Sequence, residues 1–253
     1  MEYPISHIPF RENKPRNVGQ TMVIDKGLTI IEAQGIAEDV GHLIDYMKIG
    51  FGTALITKNI TKKIAVYKEA GITPYFGGTL FELFVIRDKF DEYQKFLHLH
   101  GISVAEVSDG SIELDHTVKL NYIQELKKNF TVISEVGSKD ADKVMSPDEW
   151  IAMMNKELAA GSVKVITEAR ESGTIGIFNK DGSANKLLID TIIANIDISN
   201  VMWEAPLKSQ QALFIKLLGH DVNLGNIATN EVIALEALRL GLRGDTFFQF
   251  LDK

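Results

Sequence analysis

Residues 163–173 read VKVITEARESG, and the way polarity falls along them decides the fold. Successive side chains of an extended segment point to opposite sides, so Val163 and Val165 share one face while Glu168 and Arg170 share the other. The same split recurs in VMWEAP (201–206), VISEVG (132–137), VAEVSDG (104–110) and DYMKIGFG (45–52), where Glu204, Glu135, Glu106 and Lys48 oppose the face suited to packing under helices. In TMVIDKG (21–27), Val23 and Asp25 share one face and Met22 and Ile24 the other, and Asp25 is expected on the inward side with the remaining charges. Each charge stands near the end of a short apolar run. Runs of this kind are strands, and charge gathered at strand ends points to chemistry.

Outward from these segments, strand and helix patterns alternate along the chain. Strand ends are expected near Asp25, Lys48, Gly77, Asp109, Glu135, Arg170, Glu204 and Gly225. Amphipathic stretches lie at Ile60–Ala70, Phe90–His100, Leu114–Asn129, Pro147–Ala160, Lys186–Asn195, Lys208–Leu218 and Asn230–Leu240. Ser146-Pro147-Asp148-Glu149 supplies an N-cap, a first-turn proline and first-turn acids, and Gly71, Gly101 and Gly161 fall where helices should stop. Eight alternations imply parallel strands joined by right-handed crossovers, hence an α/β fold with one (β/α)8 TIM-type barrel. Residues 1–253 are read as one domain, with residues 1–20 an irregular N-terminal extension in which Pro4, Pro9 and Pro15 discourage regular structure.

Composition narrows the function classes. The 253 residues are 45% hydrophobic, enough for one large core, and no run approaches the roughly 18 apolar residues a bilayer crossing needs. The amino terminus lacks a basic region followed by an apolar stretch, so a cytoplasmic protein without membrane contact is expected. There is no cysteine, which removes disulfides, thiolate ligands and cysteine nucleophiles. A net charge of -7 with dispersed basic residues speaks against nucleic-acid binding. The histidines lack the partner spacing of a zinc site and read as structural or surface residues. Asp25, Glu106, Glu135, Glu168 and Glu204 against Lys48 and Arg170 leave an excess of negative charge. Like charges in a poorly solvated pocket cannot all stay ionised unless a cation sits among them, and a hard divalent metal is the simplest answer.

The strand-end motifs also resemble those of the phosphosulfolactate synthase family. They are DKG at 25, KIGFGT at 48, GGTLFE at 77, SDGS at 108, SEVGSK at 134, EARESG at 168, WEAPLKSQQ at 203, VNLGNI at 222 and LRLGLRGDTF at 238. The resemblance covers nearly the whole chain and implies a barrel lyase that uses Mg²⁺ to add sulfite to phosphoenolpyruvate, giving (2R)-2-phospho-3-sulfolactate on a route to coenzyme M or sulfolactate. By the family pattern Lys139 is the general acid. Two positions depart from that pattern: Ser138 stands where the family has a second lysine, and Ala169 where it has glycine.

On this reading Asp25, Glu135, Glu168 and Glu204 are the candidate Mg²⁺ ligands, since magnesium prefers oxygen. Lys48 and Arg170 are candidates for gripping phosphate, carboxylate or sulfonate, with Lys139 as proton donor. Gly77, Gly78, Thr79, Ser108, Asp109, Ser172, Gly173, Asn223, Gly225 and Asn226 complete the substrate-binding candidates, many of them through backbone amides. The expected partners are small anions and further copies of the same chain. Two alternatives stay open: a barrel lyase acting on another enolate-forming substrate, and a non-catalytic, stress-related barrel of the same family.

Overall fold

Parallel neighbours require a crossover that returns the chain to its starting end, and helices supply it. The computed structural model describes residues 4–137 and 145–251, and its eight parallel strands pair in sequential order into a closed barrel. They are β1 (Thr21–Asp25), β2 (Tyr46–Ile49), β3 (Thr73–Phe76), β4 (Val104–Val107), β5 (Thr131–Val136), β6 (Ser162–Thr167), β7 (Val201–Glu204) and β8 (Leu224–Ala228). Closure is made by β1, whose Val23 lies opposite Met47 of β2 and Ile227 of β8.

Around the barrel run α1 (Ile30–Val40), α2 (Ile60–Glu69), α3 (Gly78–Val85), α4 (Phe90–Leu99), α5 (His116–Leu126), α6 (Pro147–Ala160), α7 (Lys186–Asn195), α8 (Lys208–Leu218) and α9 (Val232–Arg239). The α6, α7 and α8 bounds are those the sequence pattern predicts. For α6 the reason is chemical: Ser146 Oγ accepts from the Glu149 amide at 3.3 Å, Glu149 Oε2 accepts from the Ser146 amide at 2.7 Å, and Pro147 opens the helix. Two helices were not foreseen. In α1, Gly35 interrupts the apolar pattern, yet a capping box between Thr29 and Glu32 starts the helix. In α3, Gly78 and Thr79 read as an anion-binding loop but form the first turn.

Side chains from the strands fill the lumen, including Met22, Tyr75, Ile133, Ile166 and Met202, all less than 6% exposed. A second apolar layer lies between strands and helices, where Val23, Met47, Val165 and Trp203 pack. The described part of the N-terminal extension carries no regular element and closes the barrel floor, the end where strands begin. Arg16 Nε meets Asp45 Oδ1 at 3.0 Å, Arg11 bridges Asp221 at 2.9 Å and Glu236 at 3.0 Å, and Lys14 Nζ donates to the Ile44 carbonyl at 2.6 Å. Lys164 points down the lumen to the Ser199 carbonyl at 2.7 Å. Among the described residues, no helix is long and apolar enough to cross a membrane.

Candidate active site

In barrels of this type the loops after each strand form the reaction face. Here they surround a cavity of about 290 Å³ at the mouth, lined by Lys48, Glu106, Glu135, Glu168 and Glu204 with Gly77, Gly78, Thr79, Arg170, Ser172 and Asn226. Each charged residue gets there by strand parity. Lys48 follows Met47 on β2, Glu135 follows Ser134 on β5, and Glu204 ends β7, so all three face the lumen while their neighbours face the helices.

The geometry is that of one ammonium inside a ring of acids. Lys48 Nζ lies 3.0 Å from Glu106 Oε1, 3.2 Å from Glu135 Oε2 and 3.4 Å from Glu204 Oε1. Glu135, Glu168 and Glu204, all buried, each bring a carboxylate oxygen to within 4.8 Å of the others. Three carboxylates thus share Lys48, with Glu168 close to two of them. Burial works against the Lys48 charge, but Glu106, Glu135 and Glu204 outweigh it and hold the pKa well above the ordinary lysine value. Burial also pushes Glu204 up to about 7, with Glu135 and Glu106 adding to the rise and Lys48 and the Ala169 amide opposing it. Glu106 is raised by burial and by Glu135, against Lys48. Tyr75, beneath them, is raised well above the ordinary tyrosine value by burial and by Glu106.

The supporting contacts are specific. Glu106 Oε1 accepts from the Gly78 amide, which seats the first turn of α3 on the mouth. A Cβ on Gly78 would lie 2.8 Å from Glu106 Oε1 and overlap Ser108 Oγ, so only glycine lets α3 come this close. Glu204 Oε2 accepts from the Ala169 amide at 2.9 Å, and Asn226 Nδ2 donates to the Ala169 carbonyl at 3.2 Å. Ala169, 1% exposed, ties the mouth ends of β6, β7 and β8 together through its own peptide group. Across the rim, Lys26 pairs with Glu171.

Several expected site residues lie elsewhere. Asp25 faces the helices, not the lumen: Oδ1 accepts from the amides of Gly27 and Leu28, both at 2.8 Å, and Oδ2 meets Lys63 Nζ at 2.7 Å and Tyr67 Oη at 2.9 Å. Its inward neighbour is Ile24, which lines the cavity. The face assignment of β1 is therefore reversed, and Asp25 leaves the ligand set because its oxygens already cap a turn and hold α2. Ser108 Oγ donates to Glu82 Oε1 of α3 at 2.6 Å, and Asp109 Oδ1 accepts from Lys119 Nζ at 2.7 Å, so both turn outward as the chain leaves β4. Gly173 is buried behind the rim, its carbonyl accepting from Gln210 Nε2 at 2.7 Å. Asn223 precedes β8 and sits at the floor, where its side chain joins Gln20, Ser199 and Val201. Gly225 lies deeper in the lumen, where a Cβ would come within 2.6 Å of Met22 Cε. Lys139 and Ser138 fall outside the described residues.

The cavity also has lining residues that the sequence reading left out: Ile24, Gly50, Phe51, Ala169 and Glu171. Glu106 was marked as a strand-end acid yet omitted from the ligand candidates, and it is among the acids closest to Lys48. Phe51, flanked by Gly50 and Gly52, has φ 57, a left-handed conformation rare for a bulky residue. A glycine on either side of an aromatic just past a strand was the available signal.

A closed parallel barrel whose mouth gathers buried acids around Lys48 places the chain in the (β/α)8 barrel class. The model of the (2R)-phospho-3-sulfolactate synthase family, ComA, matches residues 9–245. The chain is 43% identical over 244 residues to a phosphosulfolactate synthase of Bacillus subtilis (strain 168), covering 95% of this chain and 97% of the relative. It is 45% identical over 235 residues to one from Methanocaldococcus jannaschii, covering 90% and 94%. Among solved structures, 3-hexulose-6-phosphate synthase from Salmonella typhimurium shares the fold, with a TM-score of 0.58 at 12% identity over 88% of this chain and 100% of that one. This chain belongs to the phosphosulfolactate synthase family.

Proposed function

We propose that the mouth catalyses the Mg²⁺-dependent addition of sulfite to phosphoenolpyruvate, forming (2R)-2-phospho-3-sulfolactate, as a carbon-sulfur lyase acting in the direction of synthesis. The observation that carries this reading is the group Glu135, Glu168 and Glu204, three buried acids within 4.8 Å beside Lys48, in a chain of this family. The donor set fits a divalent cation. It is all oxygen, which suits a hard ion, and the three carboxylates stand close enough to share one. Glu135, Glu168 and Glu204 would hold the ion, and when bound it supplies Lewis-acid stabilisation of developing negative charge.

The remaining work falls to the chain. Sulfite is already nucleophilic; the difficulty is bringing it to an electron-rich, polyanionic acceptor. As the carbon-sulfur bond forms at the methylene carbon, the double-bond electron pair moves toward C2 and the substrate carboxylate, and a proton must then reach C2. Lys48, held fully charged by its neighbours, stabilises that charge as it builds. Arg170, exposed at the rim, offers a planar fork to phosphate or sulfonate oxygens, with Ser172 and Thr79 beside it. Lys139, by family correspondence, delivers the proton. Gly78, drawn in by Glu106, keeps the wall close enough to exclude water.

The test is direct. Purified protein given phosphoenolpyruvate should consume it only with sulfite and Mg²⁺ together, and mass spectrometry should find the phosphosulfolactate adduct. No turnover with all three present overturns the proposal, and a different product would reassign the substrate.

A further inference from the structure

Where β8 reaches the mouth, Asn226 shows three features that building a barrel does not require. Its backbone is left-handed, with φ 56, inside a strand. Asparagine tolerates that conformation better than most residues, but it still marks a position held by its surroundings. Its amide has one allowed orientation: Nδ2 faces the Ala169 carbonyl at 3.2 Å and Glu204 Oε2 at 3.5 Å, and a reversed amide would set an oxygen against two acceptors. Consequently Oδ1 is directed away from both. That oxygen is buried with no hydrogen-bond donor, in a residue only 7% exposed that lines the mouth cavity.

A buried amide oxygen without a partner is unfavourable and rare, so something is expected to satisfy it. The candidates are a donor and a cation. The surroundings favour the cation, because Asn226 touches Glu204, one of the three clustered carboxylates, and amide carbonyls are ordinary ligands for hard divalent ions. We propose that Asn226 Oδ1 is a neutral oxygen ligand of the divalent cation placed among Glu135, Glu168 and Glu204, an inference that rests on the cation reading above. A neutral ligand has a purpose here. It adds an oxygen without adding charge to a mouth that must admit two polyanions, whereas an aspartate would bind metal more tightly and repel the substrate.

The test uses Mn²⁺ as the probe, its free concentration followed by electron paramagnetic resonance, on the full chain and on Asn226→Gly and Asn226→Asp. Glycine keeps the left-handed backbone without strain, so this variant should fold, which circular dichroism in the absence of metal checks. The expected results are a Kd for Mn²⁺ weakened at least about tenfold by Asn226→Gly and kept or tightened by Asn226→Asp, the latter with a raised KM for phosphoenolpyruvate. Unchanged Mn²⁺ binding in Asn226→Gly overturns this proposal alone. Equal weakening in both variants also overturns it, by assigning the side chain only the task of orienting Glu204 through its NH₂ group. Absence of Mn²⁺ binding by the parent overturns the cation reading together with it.

Discussion

At the floor of the barrel Arg16 meets Asp45 at 3.0 Å, Arg11 is shared by Asp221 and Glu236, and Lys164 ends on a backbone carbonyl. At the mouth Lys48 faces Glu106, Glu135 and Glu204 within 3.4 Å, and Glu168 adds a fourth acid. The floor pairs Arg11 and Arg16 with acids and seats Lys14 and Lys164 on backbone carbonyls, whereas the mouth crowds several buried acids together. Buried ions that are fully matched hold a structure together, because removing one partner strands the other in a low-dielectric interior. Buried ions left unmatched cost stability, and a fold keeps them only where they do something else. The same contrast separates the two sides of the barrel wall: Asp25 with Lys63 lies on the helix side and is matched.

The widest separation between the ends should come from Glu168→Gln. It removes one of the three clustered acids, so phosphosulfolactate formation should fall by about three orders of magnitude while the variant still unfolds cooperatively without added metal. Steady-state assay and denaturant titration of one preparation check both halves, and a variant retaining most of its activity would break the comparison. Next comes the reverse lesion at the floor. Arg16→Met leaves Asp45 buried without its ion partner and should cost about 3–5 kcal/mol in guanidinium unfolding, with kcat of the folded fraction unchanged. A fallen kcat would mean that the two ends are coupled.

Glu204→Gln sharpens the comparison through pH. The Glu204 pKa rises from 4.5 to about 7 on folding, so the native state disfavours its ionised form. This penalty is absent below pH 4.5, grows as pH rises and is complete above 7. Metal-free Glu204→Gln should therefore match the parent near pH 4 and exceed it by about 3 kcal/mol at pH 8. Unfolding curves at the two pH values provide the check, and equal stability at both would remove Glu204 from the crowded acids. The smallest effect belongs to the exposed Lys26–Glu171 pair on the rim. Lys26→Ala should change stability by less than about 1 kcal/mol, and less still in high salt.

Most of this architecture could be read in advance, for reasons that particular residues make plain. Eight apolar runs, six of them with charge at their ends, specified parallel strands, and Ser146 to Glu149 announced α6 to the residue because capping is local chemistry. Glu135, Glu168 and Glu204 were placed together because strand parity holds through β5, β6 and β7. Asp25 was misplaced because Val23 and Ile24 are equally apolar: in a strand buried on both faces, alternation cannot tell lumen from helix side. The information that settles it sits on α2, in Lys63 and Tyr67. Gly77 to Thr79 misled for a related reason, since a glycine pair fits an anion-binding turn and a tightly packed helix start equally well. Only the Ser108 and Glu106 side chains pressing on Gly78 distinguish them. Asn223 was drawn into the site by sequence proximity to Asn226, although it precedes β8 and bonds at the floor while Asn226, within β8, lines the mouth cavity.

The central claim is that the acids clustered at the mouth hold a divalent cation, and anomalous diffraction from a crystal soaked in Mn²⁺ tests it most directly. One peak should lie among the carboxylate oxygens of Glu135, Glu168 and Glu204, with none at the floor. A mouth without a peak in crystals fully equilibrated with Mn²⁺ would contradict it.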